Sequence, residues 1–519
     1  MFLPVTILIA FALALALLGF WTRGRPQILW AIAVGSLGVS LLTTLDMMGF
    51  GLTTALGIRP WPLPLGSDGD FSATWKLDVD DFVLWFWLVF QLVAFLVILS
   101  SRRFLRAEEP HQGEYYALIF LAVVGMMLTA AATDLFVMYL AFELSSMATF
   151  ALVAFRKQDR QATEASLKFF VIGAVSSALI LFGISLIYGI SGNVGQPTTD
   201  LRVLQQQIAF PQAAEFERPL IVGLVFLIAG FGFKVAVVPF HMWAPDVYQG
   251  SPTTISALLS AGSKNVGIVA LFKVFLIGLL AIGIDWVLAI AVIAIVTMTV
   301  GNVLAIPQRN LKRMLAYSSI AQVGYILIAV AVGSLAIVPA SDPNYGAAQS
   351  AAITGVEGGL YHVMTYAIMK AGAFLVVAAT AVIRIGEELD DFRGLSRRMP
   401  FVAFSMMILL LSLAGIPPLG GFLSKFVLFS SAVFAAPVNG WFLVLAISGV
   451  LNSALSLYYY VRVIWYMYVL EPRDPTRRPA PRSLTAAIGL CMVLTIFTGL
   501  AAAPILAYLL SAAQAFLGF

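Results

Sequence analysis

The chain has 519 residues, of which 61% are hydrophobic and only 11% charged, whereas soluble domains carry about 25% charged residues; this excludes a soluble fold and requires a polytopic membrane protein. One cysteine, Cys491, and three histidines, His111, His241 and His362, exclude a disulfide framework and any all-cysteine iron–sulfur or zinc site. The net charge of +4 does not point to nucleic acid, because in a membrane protein the question is which loops hold the lysines and arginines.

Apolar runs of about 20 residues, the length that crosses a ~30 Å hydrocarbon layer, predict an all-α membrane protein of fourteen transmembrane helices. They fall near 2–21, 28–50, 82–100, 115–132, 134–155, 165–190, 219–243, 253–276, 283–306, 312–337, 352–383, 401–432, 441–468 and 484–511. The first run, MFLPVTILIAFALALALLGFW, has no basic segment before it, and Arg23 and Arg25 follow it. It therefore reads as a retained span entered from the non-cytoplasmic side.

Charges inside spans cost about 2.5–3.5 kcal/mol at a helix centre, so they face a bundle interior or a water-filled path. In the fifth span Glu143 lies nine residues past Asp134, ~13 Å deep at 1.5 Å per residue. A buried carboxylate needs a cation or it protonates, and Lys234 is the expected partner. At the start of the sixth span Glu164 and Lys168 are four apart and read as a surface pair or a snorkelling lysine. The seventh span carries Lys234 and meets Pro239 one turn later; the ring excludes the carbonyl of Val235, which is left free beside the lysine. His241 reads as a cap on that break. The eighth span places Lys264 among Gly262, Ser263 and Asn265, beyond snorkelling reach. Lys273 and Arg462 lie near span ends and read as snorkelling.

The tenth span aligns Ser318, Gln322 and Tyr325 at i, i+4, i+7, where they either join helices or line a path for water. The eleventh puts His362, Tyr366 and Lys370 at steps of four, an imidazole, a phenol and an ammonium along one face. Glu357, one turn before, reads as an end-of-span charge. The twelfth span is broken at Pro417 and Pro418 and carries Lys425 two turns on. The residues expected to handle protons are thus Glu143, Lys234, Lys264, His362, Lys370 and Lys425.

Positive charge collects in every second loop, as an inward-facing side requires. The odd-numbered loops hold Arg23 and Arg25; Arg102, Arg103 and Arg106; Arg156, Lys157 and Arg160; Arg309, Lys312 and Arg313; Arg384, Arg393, Arg397 and Arg398; and Arg473, Arg477, Arg478 and Arg482. The loop between the second and third spans is acidic, with Asp68, Asp70, Asp78, Asp80 and Asp81. Both termini are therefore expected on the non-cytoplasmic side of the cell membrane. Breaks in corresponding spans of two halves point to a transport site, and their offset of five spans makes the halves inverted with respect to the membrane. The division expected is 1–110 for three N-terminal spans with an outer loop, 111–276 and 283–470 for the two repeats (spans 4–8 and 9–13), and 471–519 for the last span. No GxxxxGK[ST] sequence and no dinucleotide fingerprint occurs.

Four stretches, DLFVMYLAFELSSMATFALVAFRK, FKVAVVPFHMWAPDVYQGSPT, NLKRMLAYSSIAQVGYILI and LAGIPPLGGFLSKF, carry a resemblance to the antiporter-like membrane subunits of complex I, most closely the N-type subunit of bacterial NADH:quinone oxidoreductase. The resemblance implies fourteen helices, two inverted five-helix repeats, and proton-translocating roles for Glu143, Lys234, Lys264 and Lys425. It also implies that this chain holds no cofactor, that flavin, iron–sulfur clusters and quinone reside in partner subunits, and that the partners are antiporter-like sisters, small helical subunits and, indirectly, a hydrophilic iron–sulfur arm, within the lipid bilayer and without nucleic acid. Gln322 stands where many N-type subunits have histidine, and HVMTYAIMK looks more like the eleventh helix of the L- and M-type sisters, so His362 and Lys370 are expected to take over the central relay. The alternative reading is a subunit of a multi-subunit cation/proton antiporter.

Overall fold

In hydrocarbon every backbone N–H and C=O must be satisfied within the protein, which leaves the helix as the one open-ended solution for an apolar run. The computed structural model, which describes residues 2–21, 26–51, 74–105, 111–474 and 476–519, is predominantly helical in those runs. Its helices are α1 (Leu3–Trp21), α2 (Pro26–Leu45), α3 (Asp81–Phe104), α4 (Gln112–Ala131), α5 (Leu135–Val153), α6 (Arg160–Val194), α7 (Leu201–Ile208), α8 (Glu217–Val235), α9 (Trp243–Gly250), α10 (Thr253–Gly278), α11 (Gly283–Ala305), α12 (Leu311–Gly333), α13 (Tyr345–Val382), α14 (Pro400–Ala414), α15 (Gly420–Phe434), α16 (Trp441–Tyr468), α17 (Arg482–Leu500) and α18 (Ala502–Leu517). Arg23, Arg25, Asp68, Asp70 and Arg106 lie outside the described residues.

Among the described residues thirteen helices are long and apolar enough to cross a membrane, and the divided run α14–α15 supplies the fourteenth. The run near 484–511 is not one straight helix. It bends at Ala501 into α17 and α18, because Pro504 cannot donate to the carbonyl of Leu500 one turn back.

Acidic and amide side chains start many of these helices by accepting from first-turn N–H groups: Asp80 from Val83, Asp134 from Phe136 and Val137, Asp159 from Gln161, Asp200 from Arg202, Asn310 from Arg313. Asp80 of the acidic loop between the second and third spans is therefore a cap. Among the described residues, extended pairing is confined to isolated bridges, Leu77 with Ala132, Asp134 with Asp200, and Asn310 with Glu388, which stitch helix ends together.

Helices α10 and α13 are buried along their whole apolar length, and α12 nearly so. They form the middle of the bundle, with α1, α6, α11 and α16 outside and exposing residues such as Leu13, Leu17, Leu167, Val292 and Leu451. Of the residues expected to handle protons, Lys234, Lys264, His362, Lys370 and Lys425 are buried and Glu143 is half-buried.

The two breaks share one local structure. At the first, Ala236 adopts the left-handed conformation (φ 60°) and its N–H meets the carbonyls of Gly232 and Phe233, while the Val237 N–H also reaches Gly232. At the second, Gly415 (φ 91°) meets Leu411 and Ser412, and Ile416 reaches Leu411. These are the closing hydrogen bonds of a helix that stops at a left-handed residue. Each is followed three residues later by a cis proline, Pro239 and Pro418.

Candidate functional site

Lys234 is the penultimate residue of α8, 2% exposed, and its Nζ donates to Ser146 Oγ at 2.9 Å. The direct ion pair expected with Glu143 is not formed. Glu143, half-buried one turn before Ser146 on α5, faces Ser177 of α6 and acts on Lys234 through its charge rather than by contact. Ser146 shares the face of Glu143 and lies nearer the ammonium. The ammonium also stands 5.0 Å from the centroid of the Phe142 ring. At the break, the carbonyl given a side-chain donor is that of Phe233, from Trp243 Nε1 at 2.9 Å, and the Val238 N–H turns to Thr297 Oγ1 at 3.1 Å.

Lys264 follows a π-helical turn, Leu259–Ser263, which inserts a residue into α10. Its Nζ donates to Ser319 Oγ at 3.0 Å. Ser319 and Tyr366 Oη are 2.6 Å apart, and Tyr366 in turn donates to the Ser260 carbonyl at 2.7 Å. Gly267 seats α10 directly against Lys234 and Val235, so the two lysine helices touch.

On α13, His362, Tyr366 and Lys370 share a face as expected, but each turns to a different neighbour. Lys370 donates to the Leu315 carbonyl at 3.0 Å and to Ser318 Oγ on α12, and it feels the charges of Lys264 and Lys425. His362 bonds Gln322 Oε1 through Nε2 at 2.9 Å and Ser424 Oγ through Nδ1 at 2.9 Å. Because Gln322 Nε2 donates to the Leu413 carbonyl at 3.4 Å, its Oε1 is left to accept. Neutral His362 therefore carries its hydrogen on Nε2 and accepts from Ser424 on Nδ1. Gln322 is thus bonded to the histidine of the next helix.

Pro417 has no N–H to offer the carbonyl one turn back, which is that of Leu413, and Pro418 leaves that of Ala414. Lys425, two turns past Pro418, returns to take these: Nζ donates to Leu413 O at 2.8 Å, Ala414 O at 3.5 Å and Ser453 Oγ at 3.0 Å. The Leu413 carbonyl is therefore shared by Lys425 and Gln322. Tyr325 packs beneath, its ring centroid 4.9 Å from the ammonium, and its Oη accepts from Asn302 at 3.3 Å. Ser318, Gln322 and Tyr325 all bond across helix boundaries.

Sequence reasoning missed Ser146, Ser319, Ser424, Ser453 and Thr365, whose Oγ1 donates to Ser424 Oγ at 3.0 Å. For Ser146, Thr365 and Ser424 the available signal was a hydroxyl adjacent to, or one turn from, Glu143, His362 or Lys425; Ser319 and Ser453 have no such neighbour in the sequence. It also misread Lys273 and Arg462. Lys273 is buried and donates to the Ala132 carbonyl at 3.0 Å, closing the end of α4. Arg462 donates to the Ile306 and Gln308 carbonyls at 2.7 and 2.8 Å, closing the end of α11. Lys312, counted among loop charges, is buried and donates to Ser251 O at 3.0 Å and Glu387 at 3.4 Å. Lys168 forms the surface pair expected with Glu164, 2.9 Å, and adds Asp246 at 3.1 Å. Arg313 holds the other oxygen of Asp246 at 2.5 Å. No group of three or more His, Cys, Asp or Glu able to hold a metal occurs among the described residues.

Over residues 132–340 and 345–455 the sequence matches the family described as NADH:quinone oxidoreductase/Mrp antiporter, TM. It is 41% identical to the F(420)H(2) dehydrogenase subunit N of Methanosarcina mazei over 527 residues, covering 99% of this chain and 98% of that protein. It is 36% identical to the NADH-quinone oxidoreductase subunit N of Heliobacterium modesticaldum, covering 95% and 93%. Among solved structures, a chain of respiratory complex I from Thermus thermophilus with bound aureothin superposes with a TM-score of 0.75 at 28% identity, covering 97% of this chain and 99% of that one. A chain of the Mrp complex from Dietzia superposes at 0.80 and 20% identity, covering 100% and 98%, a likeness of fold.

Proposed function

The chain belongs to the NADH:quinone oxidoreductase/Mrp antiporter transmembrane family, and from that membership we propose that it is the N-type, proton-translocating membrane subunit of a quinone-reducing respiratory complex. The observation that carries this reading is the succession of buried ammonium, hydroxyl and imidazole groups through the bundle centre: Ser146–Lys234, Lys264–Ser319–Tyr366, Ser318–Lys370, then Ser424–His362–Gln322 and the Leu413 carbonyl leading to Lys425. A charge buried in a span is costly and, by default, points to function, which supports this reading for Lys234, Lys264, Lys370 and Lys425.

In this reading, electron transfer in partner subunits alters the field at Glu143 and Lys234, and protons shift along Lys234, Lys264, the His362 and Lys370 region and Lys425. The chain itself holds no redox group; flavin, iron–sulfur clusters and quinone belong to the partners. It sits in the cell membrane with both termini on the non-cytoplasmic side, beside antiporter-like and small helical subunits. Spans 4–8 and 9–13 form the inverted pair, and the two matching helix breaks support that division. Lys234→Ala in the assembled complex is expected to lower protons pumped per electron; an undiminished ratio overturns the proposal.

The fold shared with the Mrp complex favours a second reading, a subunit of a cation/proton antiporter driven by an ion gradient. Mass spectrometry of the native complex separates the two. Iron–sulfur and flavin subunits identify the redox-driven pump and its electron donor, and small membrane partners alone identify the antiporter.

A further inference from the structure

Away from the central path, a cavity of about 700 Å³ opens at the surface where α14 and α17 begin side by side. Arg398, Arg477, Arg478 and Arg482 line it, and no carboxylate does. Arg478 is paired, with Asp474 at 3.0 Å, and Arg398 donates one Nη to the Asp391 carbonyl. Arg477 and Arg482 make no ion pair among the described residues. Arg398 is 8% exposed, and its Nε has no hydrogen-bond partner. A buried guanidinium with an unmet donor is costly unless something else in the site compensates it.

The backbone adds to the same charge. Helix α14 starts behind Met399 and α17 behind Pro481, and neither start receives a side-chain cap. The first-turn N–H groups of a helix have no intrahelical partner, and two such ends converging on one cavity bring two positive dipole ends together. Below this rim the walls become apolar. Phe401 and Val402 on α14 and Ala486 and Gly489 on α17 continue the cavity down the sides of two membrane helices. Gly489 keeps that furrow open beside the Phe401 ring, because a Cβ there would stand 3.1 Å from Phe401 Cζ.

We propose that this cavity binds an anionic phospholipid, its phosphate held by Arg398, Arg477, Arg482 and the two helix starts, and an acyl chain lying in the furrow beside Gly489. Positive charge above and an apolar furrow below is the complement of a lipid headgroup and tail. A free phosphate would leave the furrow unused. An acidic protein segment would leave the membrane-facing walls unmatched.

The test uses the native complex in detergent with a photoactivatable phosphatidylglycerol bearing its reactive group in an acyl chain, cross-linked peptides being read by mass spectrometry. The expected labels fall within 398–402 and 482–489, competed by phosphatidylglycerol but not by phosphatidylcholine or inorganic phosphate. Arg477→Gln with Arg482→Gln lowers labelling at least about tenfold, since each arginine near an anionic lipid contributes roughly 1 kcal/mol. Gly489→Leu lowers it with every arginine retained, and both variants assemble. Equal labelling by a phosphatidylcholine probe, competition by phosphate alone, unchanged labelling in the double arginine variant, or a partner subunit cross-linked across the arginines would overturn the assignment.

Discussion

Lys234, Lys264, Lys370 and Lys425 each place a buried ammonium against neutral oxygens, serine hydroxyls or main-chain carbonyls, and none touches a carboxylate. The positions of these lysines were legible because a charge in a span is rare and costly. Their partners were not, since a membrane serine equally well bonds its own helix or packs against another. Ser318 does both, bonding Leu315 O as well as Lys370. Residue spacing likewise placed His362, Tyr366 and Lys370 on one face without revealing that three different neighbours receive them. Replacing His362 with alanine removes the group that joins Gln322 to Ser424. Proton translocation per electron is expected to fall to roughly half or less, with assembly retained, as befits loss of a positioned proton carrier; proton uptake measured against quinone reduction in vesicles checks it.

At the scale of elements, prolines announced both breaks, and the break sites agree with the sequence because a missing N–H is a local fact. Which carbonyl is then reused is a matter of how the chain folds back. At the second break Lys425 takes the two carbonyls that Pro417 and Pro418 free, whereas at the first a tryptophan supplies the donor and Val235 is not its target. Lys273 and Arg462 were misread for the same reason: distance from a helix end does not say which neighbouring helix terminates beside it. Gly415 occupies the left-handed region (φ 91°) with Lys425 Cδ 3.4 Å from where a Cβ would stand. Gly415→Val is therefore expected to destabilise the break by about 1–2 kcal/mol and to shift Lys425. A lower melting temperature with reduced pumping checks this, and Gly440→Val, with open space around it, serves as the control.

For the whole molecule, the seventh-to-eighth connection, which carries no basic residue, gathers three separate elements. Asp246 on α9 joins Lys168 of α6 to Arg313 of α12. Partial burial raises its carboxyl, but the hydrogen bonds from Arg313 and Lys168 and the charges of both outweigh that and hold it below the ordinary carboxylate value. A carboxyl depressed in the folded state lends stability that is fully present above its unfolded pKa, about 3.9, and is lost as pH falls through the lower folded value. The side chain is 38% exposed, so solvent and salt limit the effect: Asp246→Asn is expected to cost about 1 kcal/mol or less. The difference in melting temperature from the parent chain should be constant from pH 8 to pH 5 and close only below about pH 4. Charge alternation along the sequence led to an expected course of the chain through the membrane and counted Lys312 as a loop charge; only the packed bundle shows Lys312 and Asp246 tying helices together.

The serines of the central path have one more property. A hydroxyl that accepts from one neighbour and hands its own hydrogen to the next ends the exchange pointing the other way. On the proposed proton path, Ser319 and Ser424 would be oriented against the next proton once one had passed, and the row would have to turn over before it could repeat. That reset needs only rotation about single bonds, faster by orders of magnitude than the movement of a packed helix. On that proposal the row would keep a brief record of the last transfer and its direction.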